Sequence, residues 1–194
     1  MSETIAKFSV PNRTFFLNKD INAKSVQDVI LGIHEINRLD DEESKDKIKF
    51  TRKPIKIILD TNGGEIYRGM ALANTIETST TDVHIYIYGI AASFGVILAA
   101  VAQKTFAHKR ATFMLHQLSA GMWGTYKDME ESMEQRLKLQ NMLEEIIMEN
   151  SNITKEELLE VRNKKQDWYF TGEEALKLGL VDELITRKTD MGNQ

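Results

Sequence analysis

The fold is decided by residues 83–102, which read VHIYIYGIAASFGVILAAVA. The first six are rich in β-branched and aromatic residues and predict a buried strand. The last seven are apolar, rich in alanine and too long for another strand, so we expect a buried helix. Ser93 then lies on the strand-to-helix turn, with Gly95 two residues after it. Two roles fit this position: Ser93 caps the helix, or its exposed hydroxyl reacts beside helix N–H groups that stabilise an oxyanion.

A second strand and turn lie upstream of this stretch. Residues 55–60 read IKIILD and predict a strand, and the next four, TNGG, end it. Paired glycines before a helix allow positive φ and close approach of the backbone to a ligand, although a plain turn also uses them. A helix is predicted at residues 65–77. Strand, helix, strand and helix in this order indicate a largely parallel sheet with right-handed crossovers.

The rest of the chain supplies the remaining elements. We expect strands at 13–17, 104–107 and 112–115, a helix at about 26–39 opened by a capping box of Ser25 and Asp28, and a solvated charged loop at 40–53. Three more helices are predicted: a long amphipathic one at about 126–150 opened by Thr125 and Asp128, one opened by Thr154 and Glu157, and one opened by Thr171 and Glu174 that ends at Gly179. His116 closes the strand at 112–115 and fits either a structural histidine or a general base.

Composition excludes several classes of site and partner. The 194 residues include 42% hydrophobic residues, carry a net charge of −4 and contain no cysteine. Disulfides, thiolate metal sites and a cysteine nucleophile are therefore excluded, and the four scattered histidines form no zinc motif. The charge gives no reason to expect nucleic acid or an anionic membrane as a partner. Because the sequence shows no apolar leader and no run of about eighteen apolar residues, we expect a cytoplasmic protein.

Four blocks of sequence, in their order and spacing, resemble the ClpP-type (caseinolytic) serine peptidases. They are Gly63-Gly64 after a strand, residues 89–95 (GIAASFG), residues 114–117 (MLHQ) and residues 167–182 (DWYFTGEEALKLGLVD). The resemblance covers residues 13–185, with an N-terminal extension at 1–12 and a flexible tail at 186–194. It implies a crotonase/ClpP-like α/β spiral of ββα units, from which a handle helix protrudes at about 126–150.

The same resemblance implies catalytic and binding roles. Ser93 is the expected nucleophile, His116 the general base and then general acid, and Asp167 the group that orients the imidazole. The oxyanion hole is expected from the backbone N–H groups of Gly64 and Phe94, and because only backbone is used there, Phe94 is expected to tolerate any side chain. The expected substrate-binding residues, the last three of which lie where the family binds a peptide as an added β-strand, are Gly63, Ile66, Gly121, Met122 and Trp123.

The resemblance also implies partners. It predicts the ATP-independent core of a self-compartmentalising serine endopeptidase, built as a heptameric ring or as two rings joined by their handle helices. The peptidase itself is expected to need no metal or cofactor, with ATP entering only through a partner AAA+ unfoldase that feeds it unfolded polypeptides. Residues 164–166 (KKQ) replace an acidic residue and an arginine that pair between rings in the family. One ring and two rings therefore both stay open.

Four other interpretations stay open from the sequence. The protein could be a specialised processing or maturation peptidase, or a non-catalytic ring subunit that keeps the fold. A crotonase-type acyl-CoA enzyme would use paired backbone N–H groups to polarise a thioester. A relative of the signal-peptide peptidases would pair its serine with a lysine instead of a histidine.

Overall fold

A computed structural model describes residues 13–46, 50–119, 124–164 and 166–186. Within these ranges one seven-stranded sheet carries the fold. Its strands are β1 (Thr14–Leu17), β2 (Ile55–Thr61), β3 (Val83–Ala92), β4 (Lys104–His108), β5 (Thr112–Leu115), β6 (Trp168–Thr171) and β7 (Glu183–Ile185). The helices are α1 (Ala23–Asp46), α2 (Ile66–Glu77), α3 (Phe94–Val101), α4 (Tyr126–Glu149), α5 (Lys155–Lys164) and α6 (Gly172–Lys177).

Most of the sheet is parallel, as the βαβ pattern predicts. Five strands lie side by side in the order β1-β2-β3-β4-β7, and each neighbouring pair is parallel. β5 leaves this row, because it pairs parallel with the last residues of β3 and antiparallel with β6. β3 is long enough to serve both neighbours: residues 84–87 pair with β4, and residues 90–92 pair with β5. The chain therefore leaves β3 directly beside β5.

β3 and α3 form the centre of the core. Val83, Ile85 and Ile87 of β3 are fully buried, and all eight residues of α3 are buried. The buried strand and the buried helix predicted for residues 83–102 are thus both confirmed. Burial of each large aliphatic side chain contributes about 1.5–3 kcal/mol. The turn between β3 and α3 is consequently held from both sides by well-packed elements.

The start of α1 differs from the prediction. The capping residue is Asn22, whose Oδ1 accepts hydrogen bonds from the N–H groups of Lys24 and Ser25, both at 3.0 Å. Ser25 returns the contact, because its Oγ accepts from the N–H of Asn22 at 2.9 Å. The predicted capping box of Ser25 and Asp28 is therefore wrong by one helical turn. The other three boxes are confirmed: Thr125 with Asp128, Thr154 with Glu157, and Thr171 with Glu174.

The end of α1 also differs, because the helix continues to Asp46 through the first half of the predicted loop at 40–53. Its extension is stabilised by charge pairs instead of apolar periodicity. Arg38 pairs with Glu35 at i−3 and with Glu42 at i+4, and both spacings place the partners on one face of the helix.

Asp40 fixes this part of α1 to the sheet. Its buried carboxylate accepts hydrogen bonds from Arg13, at 2.9 Å for Nη1, and from the Thr81 hydroxyl at 2.7 Å. Arg13 also donates to the carbonyl of Lys53 at 2.7 Å. Burial raises the pKa of Asp40, but the hydrogen bonds from Arg13 and Thr81 outweigh burial and hold that pKa below its usual value. The charged segment thus ties α1 to the residues that precede β1, β2 and β3.

Asp40→Ala is expected to lower the free energy of unfolding by about 2–3 kcal/mol at pH 7, less than a fully buried pair because Arg13 is partly exposed. The pKa of Asp40 is lower in the folded protein than in the unfolded chain. Its contribution is therefore complete above about pH 5 and is lost as the pH falls through its folded pKa. Urea unfolding at a fixed protein concentration, at pH 7 and at acid pH, measures this difference.

The matched control is Asp41→Ala, which removes a half-exposed carboxylate paired with Arg52. We expect that variant to lose less than about 1 kcal/mol. Equal losses for the two variants at pH 7 would contradict the role given to Asp40.

Candidate active site

Ser93 occupies the turn between β3 and α3 in a conformation that side chains rarely adopt. Its φ is +53° and its ψ is −119°, and among the described residues it alone combines a side chain with positive φ. Such backbone outliers cost about 1–3 kcal/mol and cluster at functional sites. Although Ser93 precedes α3, its side chain makes no capping hydrogen bond. The capping interpretation is therefore wrong, and the hydroxyl is available for another partner.

That partner is His116. The two side chains form a hydrogen bond of 2.8 Å between His116 Nε2 and Ser93 Oγ. The pairing of β3 with β5 explains the contact, because Ala92 lies opposite Met114 and the Ser93 N–H donates to the Met114 carbonyl at 2.8 Å. A histidine in this position can take the hydroxyl proton and so convert a weak nucleophile into a strong one.

Asp167 directly precedes β6 and is exposed. In the antiparallel pairing of β5 with β6, the last pair is Leu115 opposite Trp168. His116 and Asp167 are the next residues beyond that pair. Within the described part of the chain, no hydrogen bond joins the two side chains. The described strand pairing thus stops one residue short of His116 and Asp167.

The paired glycines lie against the Ser93 turn. Gly63 has φ of +98° and Gly64 has φ of +147°, both in the region that favours glycine. A Cβ atom added at Gly63 would lie 2.7 Å from Ser93 Cβ and 3.1 Å from the Phe94 nitrogen. Ser93 and Phe94 therefore leave no room for a side chain at position 63. The glycine segment and the start of α3 are therefore in direct contact.

Ile21 orients the second glycine. Its N–H donates to the Gly63 carbonyl at 2.7 Å, and its carbonyl accepts from the Glu65 N–H at 2.8 Å. This is a parallel β-bridge in which the flanking peptide groups face Ile21, so the N–H of Gly64 points to the opposite side. A Cβ at Gly64 would lie 2.2 Å from the Ile21 carbonyl oxygen. Both its φ angle and its contact with Ile21 thus require glycine at this position.

Phe94 begins α3, where the first N–H groups have no partner within the helix. Its side chain is 2% exposed. The ring packs on α2 at Gly69, where an added Cβ would come within 2.4 Å of it. The prediction that position 94 tolerates any side chain is therefore wrong, because the aromatic ring fills the space that Gly69 leaves.

A cavity of about 260 Å³ opens beside Ser93 and His116. Gly64 and Ile66 line it, whereas Gly63 lies behind them against Ser93. The predicted substrate-binding residues Gly121, Met122 and Trp123 fall outside the described residues. None of the described residues that line the cavity is a lysine, so a serine–lysine pair has no support in this part of the chain.

Several polar residues that line the same cavity were not predicted, among them Gln140, Glu144 and Arg162. The first two lie on α4, which was assigned only as a handle, and the third lies on α5. The i, i+4 spacing of Gln140 and Glu144 was the one available signal. The structure joins this pair by a hydrogen bond of 2.7 Å.

The described ranges contain neither a potential metal site nor a membrane-spanning helix. No three histidine, aspartate or glutamate side chains there come together as a potential metal site. None of the helices in those ranges has both the length and the apolarity needed to span a bilayer.

Comparison with known proteins agrees with the fold. The sequence model of the Clp protease family matches residues 2–188. An ATP-dependent Clp protease proteolytic subunit of Deinococcus radiodurans is 33% identical over 144 residues, which cover 72% of this chain and 70% of that protein. Proteolytic subunit 2 of Rhodococcus jostii is 32% identical, with 72% of each chain covered. That of Corynebacterium glutamicum is 34% identical, with 69% and 67% covered. The chain therefore belongs to the Clp protease family and is a serine peptidase of the ClpP type.

Proposed function

We propose that Ser93 is the nucleophile of this peptidase, that His116 is its general base and that Asp167 orients and stabilises the imidazole once it is charged. The observation that carries the proposal is the 2.8 Å hydrogen bond between Ser93 Oγ and His116 Nε2. The strained backbone of Ser93 supports it, since such conformations cluster at functional sites. Asp167 is included because of the sequence block at 167–182, and it lies one residue beyond the Leu115–Trp168 pair, as His116 does.

In this mechanism Ser93 Oγ attacks the scissile carbonyl carbon while its proton passes to His116 Nε2. The carbonyl oxygen becomes an oxyanion, which accepts hydrogen bonds from the N–H groups of Gly64 and Phe94. His116 then donates its proton to the leaving amine nitrogen, which leaves an ester on Ser93. Water, deprotonated by the same histidine, hydrolyses that ester and restores the serine. No metal or cofactor takes part in these steps.

We also propose that the chain works as a heptameric ring, or a pair of such rings, that receives unfolded polypeptides from an AAA+ unfoldase. The named relatives are proteolytic subunits of ATP-dependent Clp proteases, which supports an ATPase partner. On α4 the side chains of Met133, Leu137 and Met142 are 61%, 48% and 42% exposed. An exposed apolar surface of this kind marks a contact with another protein, as expected if α4 joins subunits.

Labelling with a fluorophosphonate probe tests the proposed nucleophile. We expect the full-length wild-type protein to gain one adduct by intact mass, because His116 activates the serine that attacks phosphorus. The Ser93→Ala variant should gain none. Mass photometry of the same samples measures assembly. A ring that forms but takes up no probe would contradict the proposal and favour a non-catalytic ring subunit.

A further inference from the structure

The cavity beside Ser93 has apolar walls and a polar cluster. The walls come from six residues of four different elements: Ile97, Leu115, Leu143, Ile147, Leu158 and Val161. The polar cluster consists of Gln140 and Glu144 of α4 and Arg162 of α5. Because the cavity also contacts Ser93 and His116, a side chain that enters it belongs to the residue next to the scissile bond. We call this residue P1.

The two charged groups of the polar cluster are largely removed from water. The side chain of Glu144 is 10% exposed and that of Arg162 is 24% exposed. Burying a charge is costly unless it is paired and hydrogen-bonded. A substrate side chain that fills the cavity and excludes the remaining water must therefore supply hydrogen bonds to the pair.

Glu144 and Arg162 do not fully satisfy each other. Arg162 Nη1 lies 3.8 Å from Glu144 Oε2, which is too far for a hydrogen bond. Its contact with Asn141 Oδ1 is also long, at 3.4 Å. Among the described residues, Glu144 accepts one hydrogen bond, at Oε1 from Gln140.

The side-chain oxygen of Gln140 already accepts from the Leu118 N–H at 2.9 Å. The charged pair thus presents Glu144 Oε2 as an acceptor and the guanidinium of Arg162 as a donor. An ammonium group at P1 would be opposed by Arg162, and a carboxylate by Glu144. An apolar side chain would bury the pair without satisfying it. A carboxamide supplies both an N–H donor for Glu144 and a C=O acceptor for Arg162.

We propose that Glu144 and Arg162 together make this peptidase prefer glutamine at P1. The long methylene part of glutamine suits the apolar walls, and its terminal carboxamide reaches between the two charges. The inference rests on the proposed function, since it assigns the cavity to the side chain adjoining the bond that Ser93 attacks.

The test compares four fluorogenic peptides that differ only at P1, which is glutamine, glutamate, lysine or norleucine. For the wild type we expect kcat/KM to be about tenfold higher for glutamine than for any other, the value of one net hydrogen bond. Norleucine is the matched reference, because it has similar length and no polar group.

Two variants separate recognition from a merely structural role. Glu144→Gln leaves Arg162 as the charged member of the pair. Glutamate should then become the preferred P1 residue, with kcat/KM higher by about tenfold or more. Arg162→Met leaves Glu144 alone, and the preference should change to lysine. The controls are Glu145→Gln and Lys164→Met, which remove exposed charges from the same helices and should keep the glutamine preference.

Four outcomes would overturn the inference. The first is that the wild type cleaves the norleucine peptide as efficiently as the glutamine peptide. The second is that the two variants still form rings but lose activity on all four peptides equally. Absence of both turnover and fluorophosphonate labelling in the assembled wild type would overturn the proposed function and this inference with it. Labelling with normal norleucine turnover but no glutamine preference would overturn the inference alone.

Discussion

Ser93→Ala is expected to lower kcat for a fluorogenic peptide by about 10⁴-fold or more, since removal of a serine nucleophile leaves only binding and oxyanion stabilisation. The variant should fold and assemble normally. Among the described residues the hydroxyl makes one hydrogen bond, to His116, and alanine retains a Cβ at the same strained position. Peptide hydrolysis at saturating substrate measures the loss, and mass photometry measures assembly.

Ser119→Ala is the matched control for this result. Ser119 is exposed and lines the same cavity, so its loss removes a hydroxyl from the site without removing the one that His116 contacts. We expect that variant to retain kcat within a few-fold. Wild-type turnover by Ser93→Ala would remove Ser93 as the nucleophile, whatever the control shows.

Asp167→Asn is expected to lower kcat by about 10³- to 10⁴-fold while KM changes little. An asparagine keeps the size of the side chain but can no longer stabilise the imidazolium, and it can hold the ring in the wrong tautomer. The expectation depends on the role proposed for Asp167, which lies one residue beyond the Leu115–Trp168 pair, as His116 does. Steady-state kinetics and the rate of fluorophosphonate labelling both report this loss.

The control for Asp167 is Glu160→Gln. Glu160 lines the same surface hollow as Asp167 and pairs with Lys164, so this variant removes a negative charge nearby without touching the histidine. It should keep wild-type kcat. Equal and small effects of the two variants would show that His116 works without Asp167 and would leave a serine–histidine pair.

Local patterns predicted the centre of the fold correctly. The β-branched run that forms β3 and the alanine-rich run that forms α3 differ in length and composition, and both are buried as expected. Ser93 and His116 were also predicted, as members of recognisable sequence blocks. The sequence alone left the capping role of Ser93 open. The structure excludes that role, because the Ser93 hydroxyl makes no capping hydrogen bond and instead contacts His116, 23 residues further along the chain. Local sequence reveals neither the φ angle of Ser93 nor this distant partner.

The errors share a physical cause. The extension of α1 to Asp46 depends on Arg13, Arg38 and their carboxylate partners, and a search for apolar periodicity does not detect charge pairs. β6 and β7 were not predicted as strands, because they have four and three residues and form only by pairing with distant strands. Gln140, Glu144 and Arg162 were missed for a similar reason, since their meeting depends on how α4 and α5 pack.

The way β5 joins β3 also matters while the protein is being made. Ser93 leaves the ribosome before His116, and the two can meet only after β5 has docked beside the last residues of β3. Until then the hydroxyl is that of an ordinary serine. A nascent chain therefore cannot cleave neighbouring proteins. Hydrolytic activity begins only once the C-terminal half of the sheet has been synthesised and has folded.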